Sequence, residues 1–280
     1  MKKTLIALAV AASAAVSGSA LAGLGSFGSG NINNTVNFGG SITVPEGANS
    51  WVWAVGQGYD QYSNTTRDLT DNGTKLTITA SENMPLLVGK TMKPFEGAPG
   101  LAPQIAFSDS KGVITPVWGT SNAEGTMTLT VNDASQQKIG TMTLNVTGIS
   151  PVVWARTSGS SSADVRVQDP TGGAFLNATG NFESSPSFTE VDAILTSFGG
   201  TTIQELQTLL KTYPGLSNIA EDTSNVAGRT QDPLASSGWA YVSSYALGIL
   251  RGKTLEVNFD STVNHDTQWK APLNMQISYN

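Results

Sequence analysis

The chain has no cysteine and a single histidine, His265, and only 13% of its 280 residues are Asp, Glu, Lys or Arg. Each shortage removes a class of chemistry. Without thiols there is no disulfide framework, no thiol nucleophile and no cysteine-ligated zinc. One imidazole cannot serve a metal site that needs two histidine ligands. A net charge of −6 provides no basic face for a phosphate backbone, so nucleic acid is not an expected partner. No stretch reaches the roughly 18 apolar residues of a membrane helix, and nothing calls for a cofactor. What the chain has instead is abundant threonine, serine and asparagine, and 30 glycines.

Lys2 and Lys3 precede an apolar run from Leu5 to Val16, then Ser17-Gly18-Ser19 and Ala20-Leu21-Ala22. This is the pattern of a secretory signal peptide over residues 1–22, cleaved between Ala22 and Gly23. The product is expected to be exported, across a bacterial inner membrane. An exported fold of modest size without disulfides needs some other source of stability.

After a Gly/Ser-rich leader, Ile32, Val36, Phe38 and Ile42 fall on one face of a period-two pattern. Similar alternation recurs at Trp51, Trp53 and Val55, at Leu76, Ile78 and Ala80, and at Ile105 and Phe107. It returns at Met127, Leu129 and Val131, at Met142, Leu144 and Val146, and at Leu255, Val257 and Phe259. The last segment places Leu273, Met275, Ile277 and Tyr279 on one face. Threonine opposite the apolar positions suits an exposed pleat. Many short strands separated by turn residues predict an all-β antiparallel sandwich.

Between about 157 and 237 the alternation fades. Ser187 and Glu190 have capping-box spacing ahead of Val191, Ile194, Leu195 and Phe198, with Gly199-Gly200 as the stop. Thr202 and Glu205 repeat the box ahead of Ile203, Leu206, Leu209 and Leu210, with Pro214-Gly215 following. Two short amphipathic helices in an all-β chain read either as an insertion between strands or as a small lid on the core.

Chemical motifs are weak. Gly23-Leu24-Gly25-Ser26-Phe27-Gly28 matches a dinucleotide fingerprint but lacks the preceding strand such a site requires. His265-Asp266 has no nucleophile elbow to serve, and no spacing of acidic residues nominates a glycosidase pair. No catalytic residue is assigned. Sequons at Asn64, Asn145 and Asn177 fit strand and turn chemistry. Trp154 with Arg156, Phe175 with Asn177, and Tyr213 are candidates to stack on and hydrogen-bond a sugar, although core packing is the commoner role of strand aromatics.

Three stretches carry a family resemblance: Met1-Lys2-Lys3-Thr4-Leu5-Ile6-Ala7-Leu8-Ala9-Val10, Gly39-Gly40-Ser41-Ile42-Thr43, and Gly97-Ala98-Pro99-Gly100 leading to Pro103-Gln104-Ile105-Ala106-Phe107. The tail is the nearest match, with Tyr245-Ala246-Leu247-Gly248-Ile249 and Thr267-Gln268-Trp269-Lys270-Ala271-Pro272-Leu273-Asn274. On these residues the chain resembles the FaeG-type fimbrial major subunit and adhesin family, the K-eighty-eight antigen family of the chaperone-usher pathway. The missing cysteine pair, and Thr267 where many chaperone-usher subunits carry glycine, favour that branch.

The resemblance implies an incomplete Ig-like sandwich completed by donor-strand complementation. Residues 23–43 would be the N-terminal donor extension, with Ile32, Val36, Phe38 and Ile42 as its inserted side chains. Residues 44–280 would be the subunit domain, with the insertion at about 157–237. Leu273, Met275, Ile277 and Tyr279 would line the acceptor groove and the edge a chaperone grips. Implied partners are identical subunits in a fibre, a periplasmic chaperone, an outer-membrane usher and a host glycoprotein or glycolipid receptor. The competing readings are a secreted monomeric carbohydrate-binding protein and, behind it, a secreted glycosidase.

Overall fold

The computed structural model describes residues 50–119, 123–171, 175–176, 178–180, 186–221 and 226–279. The signal segment, its cleavage site at Ala22 and Gly23, the donor residues Ile32, Val36, Phe38 and Ile42, and Asn177 lie outside them.

The first strands are β1 (Trp51–Val55), β2 (Leu69–Thr70), β3 (Lys75–Thr79), β4 (Met84–Thr91) and β5 (Phe95–Glu96). Then come β6 (Pro103–Asp109), β7 (Gly112–Ile114), β8 (Val117–Trp118), β9 (Glu124–Asn132) and β10 (Lys138–Ile149). The irregular part holds β11 (Pro151–Arg156), β12 (Asp164–Gln168), β13 (Thr179–Gly180), α1 (Phe188–Phe198), α2 (Ile203–Leu210) and β14 (Arg229–Thr230). The chain closes with β15 (Trp239–Ile249), β16 (Thr254–Phe259) and β17 (Asn274–Tyr279). The fold is an all-β antiparallel sandwich with two short helices.

Among the described residues the predicted alternating strands form, with Ala80 one residue beyond β3 and Leu273 one residue ahead of β17. Met127, Leu129 and Val131 on β9 and Met142, Leu144 and Val146 on β10 are buried, with Met142 opposite Leu129 in an antiparallel ladder. β16 pairs with the other edge of β10 and with β3.

The longest buried strand has no such alternation. β15 is buried from Ala240 to Ile249 and is paired along both edges. Its first half pairs with β11 and β5, and its second half with β4 and β10. The change of partners falls at Ser243 and Ser244, whose hydroxyls donate to the carbonyls of Pro151 at 2.8 Å and Gly89 at 3.2 Å. Buried polar groups are thereby satisfied where the ladders change over.

Both predicted capping boxes are present. The Ser187 and Thr202 backbone N–H groups donate to Glu190 and Glu205 at 2.8 and 2.9 Å, and each side-chain oxygen accepts from the N–H three residues on. α1 ends at Gly199, with a left-handed φ of 77° that suits a residue lacking Cβ. The helices share the main core. Val191, Ile194, Leu195, Phe198, Ile203, Leu206 and Leu210 are buried with Val153, Ala155, Ala240 and Val242 of β11 and β15. Alternate residues of those strands, Val152, Trp154 and Tyr241, enter a second cluster with Trp51, Phe95 and Phe175. A Cβ on Gly248 would meet the Phe198 ring at 2.5 Å, so this glycine is what lets α1 lie against β15.

Candidate functional site

β17 belongs to a separate three-stranded sheet, in the order β17-β6-β7. It runs antiparallel to β6 from Asn274 opposite Ser108 to Tyr279 opposite Pro103. Among the described residues its ladder runs along one edge only, and β1 likewise pairs with β4 alone. Met275, Ile277 and Tyr279 point to one side and are half-buried; Leu273, also half-buried, lies one residue ahead of the strand. β1 carries Val52 and Val55 at its exposed edge, 42% and 55% accessible.

The two strands meet through a side-chain contact. Trp53 Nε1 donates to the Tyr279 hydroxyl at 2.9 Å, and Trp53 stacks on Trp51 at 5.3 Å. Burial raises the Tyr279 pKa, partly offset by the Trp53 bond, so the phenol remains a neutral hydroxyl. Asp109, at the end of β6, accepts from the N–H groups of Lys111 and Thr130, each at 2.7 Å, tying this sheet to β9. Burial works to raise the Asp109 pKa, but the N–H donors outweigh it and hold the carboxylate below its ordinary value.

The aromatic candidates separate into two groups. Trp154 is 8% and Phe175 2% exposed, and they pack against Tyr241 and Trp51 respectively. Neither has a ring face open to a sugar, so core packing is what these two rings do. Arg156 and Tyr213 sit at the surface instead. The Arg156 guanidinium lies 5.1 Å over the half-buried Trp239 ring, and the Tyr213 hydroxyl approaches Glu96 Oε2 at 3.4 Å. Glu96 Oε1 accepts from the Gly238 N–H at 2.7 Å, joining the two pairs. Burial, followed by the Glu96 charge, raises the Tyr213 pKa. Sequence reasoning missed Trp239 and Glu96, because it takes the pairing of β15 with β11 to set Trp239 opposite Arg156 and the pairing of β15 with β5 to bring Glu96 alongside.

Other motifs resolve into local structure. His265 is exposed beside Asn264, with Nδ1 to Oδ1 at 3.0 Å. The Asn145 amide donates to the carbonyl and hydroxyl of Thr254, which makes that sequon a cross-strand contact. Among the described residues no group of three or more His, Cys, Asp or Glu is placed to hold a metal ion.

A family model described as "Fimbrial, major and minor subunit" matches residues 1–280. The chain is 34% identical to K88 fimbrial protein AB and 35% identical to K88 fimbrial protein AD, both of Escherichia coli, over the full length of each chain. It is 29% identical, again over full length, to the F41 fimbrial protein of Escherichia coli. A full-length match of this kind, on an all-β sandwich with one half-buried terminal strand, leaves a single assignment: the chain belongs to the K88 family of fimbrial major and minor subunits.

Proposed function

We propose that this subunit polymerises by donor-strand exchange, with residues 23–43 of one copy completing the 44–280 domain of the next. As a member of its family the chain is a structural fimbrial protein of the cell surface and not an enzyme. The observation that carries the proposal is β17, an apolar strand left half-buried and laddered along one edge among the described residues. Ile32, Val36, Phe38 and Ile42 have the alternation to fill such a groove. Four buried side chains at about 1.5 to 3 kcal/mol each give about 6 to 12 kcal/mol, comparable with the ~5 to 15 kcal/mol stability of a whole domain. A subunit without its donor strand therefore needs a periplasmic chaperone, which supplies a strand by β-augmentation before the usher passes the subunit outward.

The test is Val36→Asp with Phe38→Asp. Secretion and chaperone binding persist, and the heat-dissociable ladder of polymers disappears. Normal ladders from that variant overturn the donor assignment. Removing residues 277–280 abolishes chaperone capture instead, and a stable exported truncation counts against the groove.

Adhesion is the second part of the proposal. Arg156, Tyr213 and Trp239, on the segment 157–237 and its margins, stand with Glu96 of β5 in a surface group of rings, a guanidinium and a carboxylate. That combination suits an uncharged sugar of a host glycoprotein or glycolipid, with C–H groups on the rings and hydroxyls on the charged groups. Glycan binding by fibres, compared with fibres of Trp239→Ala and Glu96→Gln, is the measurement. Unchanged binding in both variants moves the receptor site elsewhere.

A further inference from the structure

Where the chain passes from β10 to β11, Gly148, Ile149 and Ser150 line a cavity of about 20 Å3 together with Trp118, Gln168 and Tyr245. The space suffices for one water molecule, for which about 10 to 15 Å3 is the lower limit. Tyr245 is 5% and Gln168 3% exposed, and among the described residues neither the Tyr245 hydroxyl nor Gln168 Oε1 has a hydrogen-bond partner. Leaving two such atoms unpaired is costly, about 1 to 3 kcal/mol for each. The cavity wall is largely apolar, with Pro170 and Leu176 beside these residues, but two polar atoms without partners give a water the minimum it needs.

We infer that this cavity binds one structural water, which accepts from the Tyr245 hydroxyl and donates to Gln168 Oε1 and Ser150 Oγ. The donor and acceptor inventory closes. Gln168 Nε2 donates to the Asp232 carbonyl at 2.7 Å. Turning the amide over would set two carbonyl oxygens against each other, so its orientation is fixed and Oε1 is the atom left for the water. Ser150 Oγ donates to the Ser244 carbonyl at 3.0 Å and keeps lone pairs to accept. Burial pushes the Tyr245 pKa upward, which keeps the phenol protonated as a donor.

The placement gives the water a role. Ser150 lies at the corner between β10 and β11, Tyr245 on the central strand β15, and Gln168 at the end of β12 beside β14. Three bonds from one molecule add to the direct bond from the Gln168 backbone N–H to the Ser150 carbonyl, 2.8 Å, in joining the helix-bearing segment to the sandwich.

A crystal structure of the full chain, at a resolution that shows ordered solvent, tests this directly. The expected result is a single peak within hydrogen-bond distance of Tyr245 Oη and Gln168 Oε1. A dry cavity, or one filled by protein atoms, overturns the inference. A cycle of Tyr245→Phe, Gln168→Leu and the double variant gives an independent reading from thermal midpoints. Each single variant lowers the midpoint by about 3 to 6 °C, and the double falls short of their sum because both lose the same water. Additive shifts count against a shared water.

Discussion

β15 and β17 are both strands rich in apolar and aromatic residues, yet the first is buried on both faces and paired along both edges, while the second is half-buried and, among the described residues, laddered to β6 alone. Their sequences do not announce the difference. WAYVSSYALGI contains two serines and lies at the centre, whereas NMQISY shows the cleaner alternation and lies at the margin. A strand finished on every side needs only small or apolar residues throughout and hydroxyls that find carbonyls. A strand at the margin keeps a polar face and an apolar face, because one of them remains in solvent.

The sharpest way to break the comparison is to truncate both strands. Leu247→Ala, at a fully buried site, costs about 2 to 5 kcal/mol and lowers the thermal midpoint of free subunit and fibre equally. Ile277→Ala costs about 1 kcal/mol in the free subunit, since its side chain is only half-buried, and two to three times as much in the fibre. Equal losses in the two states would show that β17 gains no cover on assembly. Denaturation of monomeric subunit and of fibre supplies both numbers.

Smaller effects locate the boundary of the finished region. Ser187→Ala removes the α1 cap and costs about 1 kcal/mol. Because α1 packs against β15, the loss registers in hydrogen exchange of β15 amides and not in those of β17. The smallest effect is one of pH. Asp109 has a folded pKa below its unfolded value, so its contribution is complete above about pH 4 and is lost as pH falls through the folded pKa. Acidification should therefore loosen β6 and β17 while β15 stays protected, and Asp109→Asn should remove most of that pH dependence. Uniform loss of protection would mean that the two regions are one cooperative unit.

The alternating strands and both helices could be read from the sequence because each has one wet face. Period two marked β9, β10, β16 and β17, and the pairs Ser187/Glu190 and Thr202/Glu205 marked the helix starts to the residue. β4, β11 and β15 could not be read this way. With both faces covered, Pro151 to Ala155 and Ala240 to Ile249 lose the polar positions that make a period visible. The same cause misdirected the aromatic candidates. Trp154 alternates with Val153 and Ala155, but both sides of β11 are interior, so neighbouring polarity said nothing about exposure. The surface pair Trp239 and Glu96 is 143 positions apart, which no local pattern reports.

The changeover at Ser243 and Ser244 has a mechanical consequence. Because β15 threads two ladders end to end, a pull along its axis loads both in shear, and their hydrogen bonds share the force instead of opening one after another. Where tension in a fibre of such subunits runs along β15, it meets a strand held by two ladders at once. Rupture is then expected first at the joints between subunits, leaving the sandwiches themselves intact.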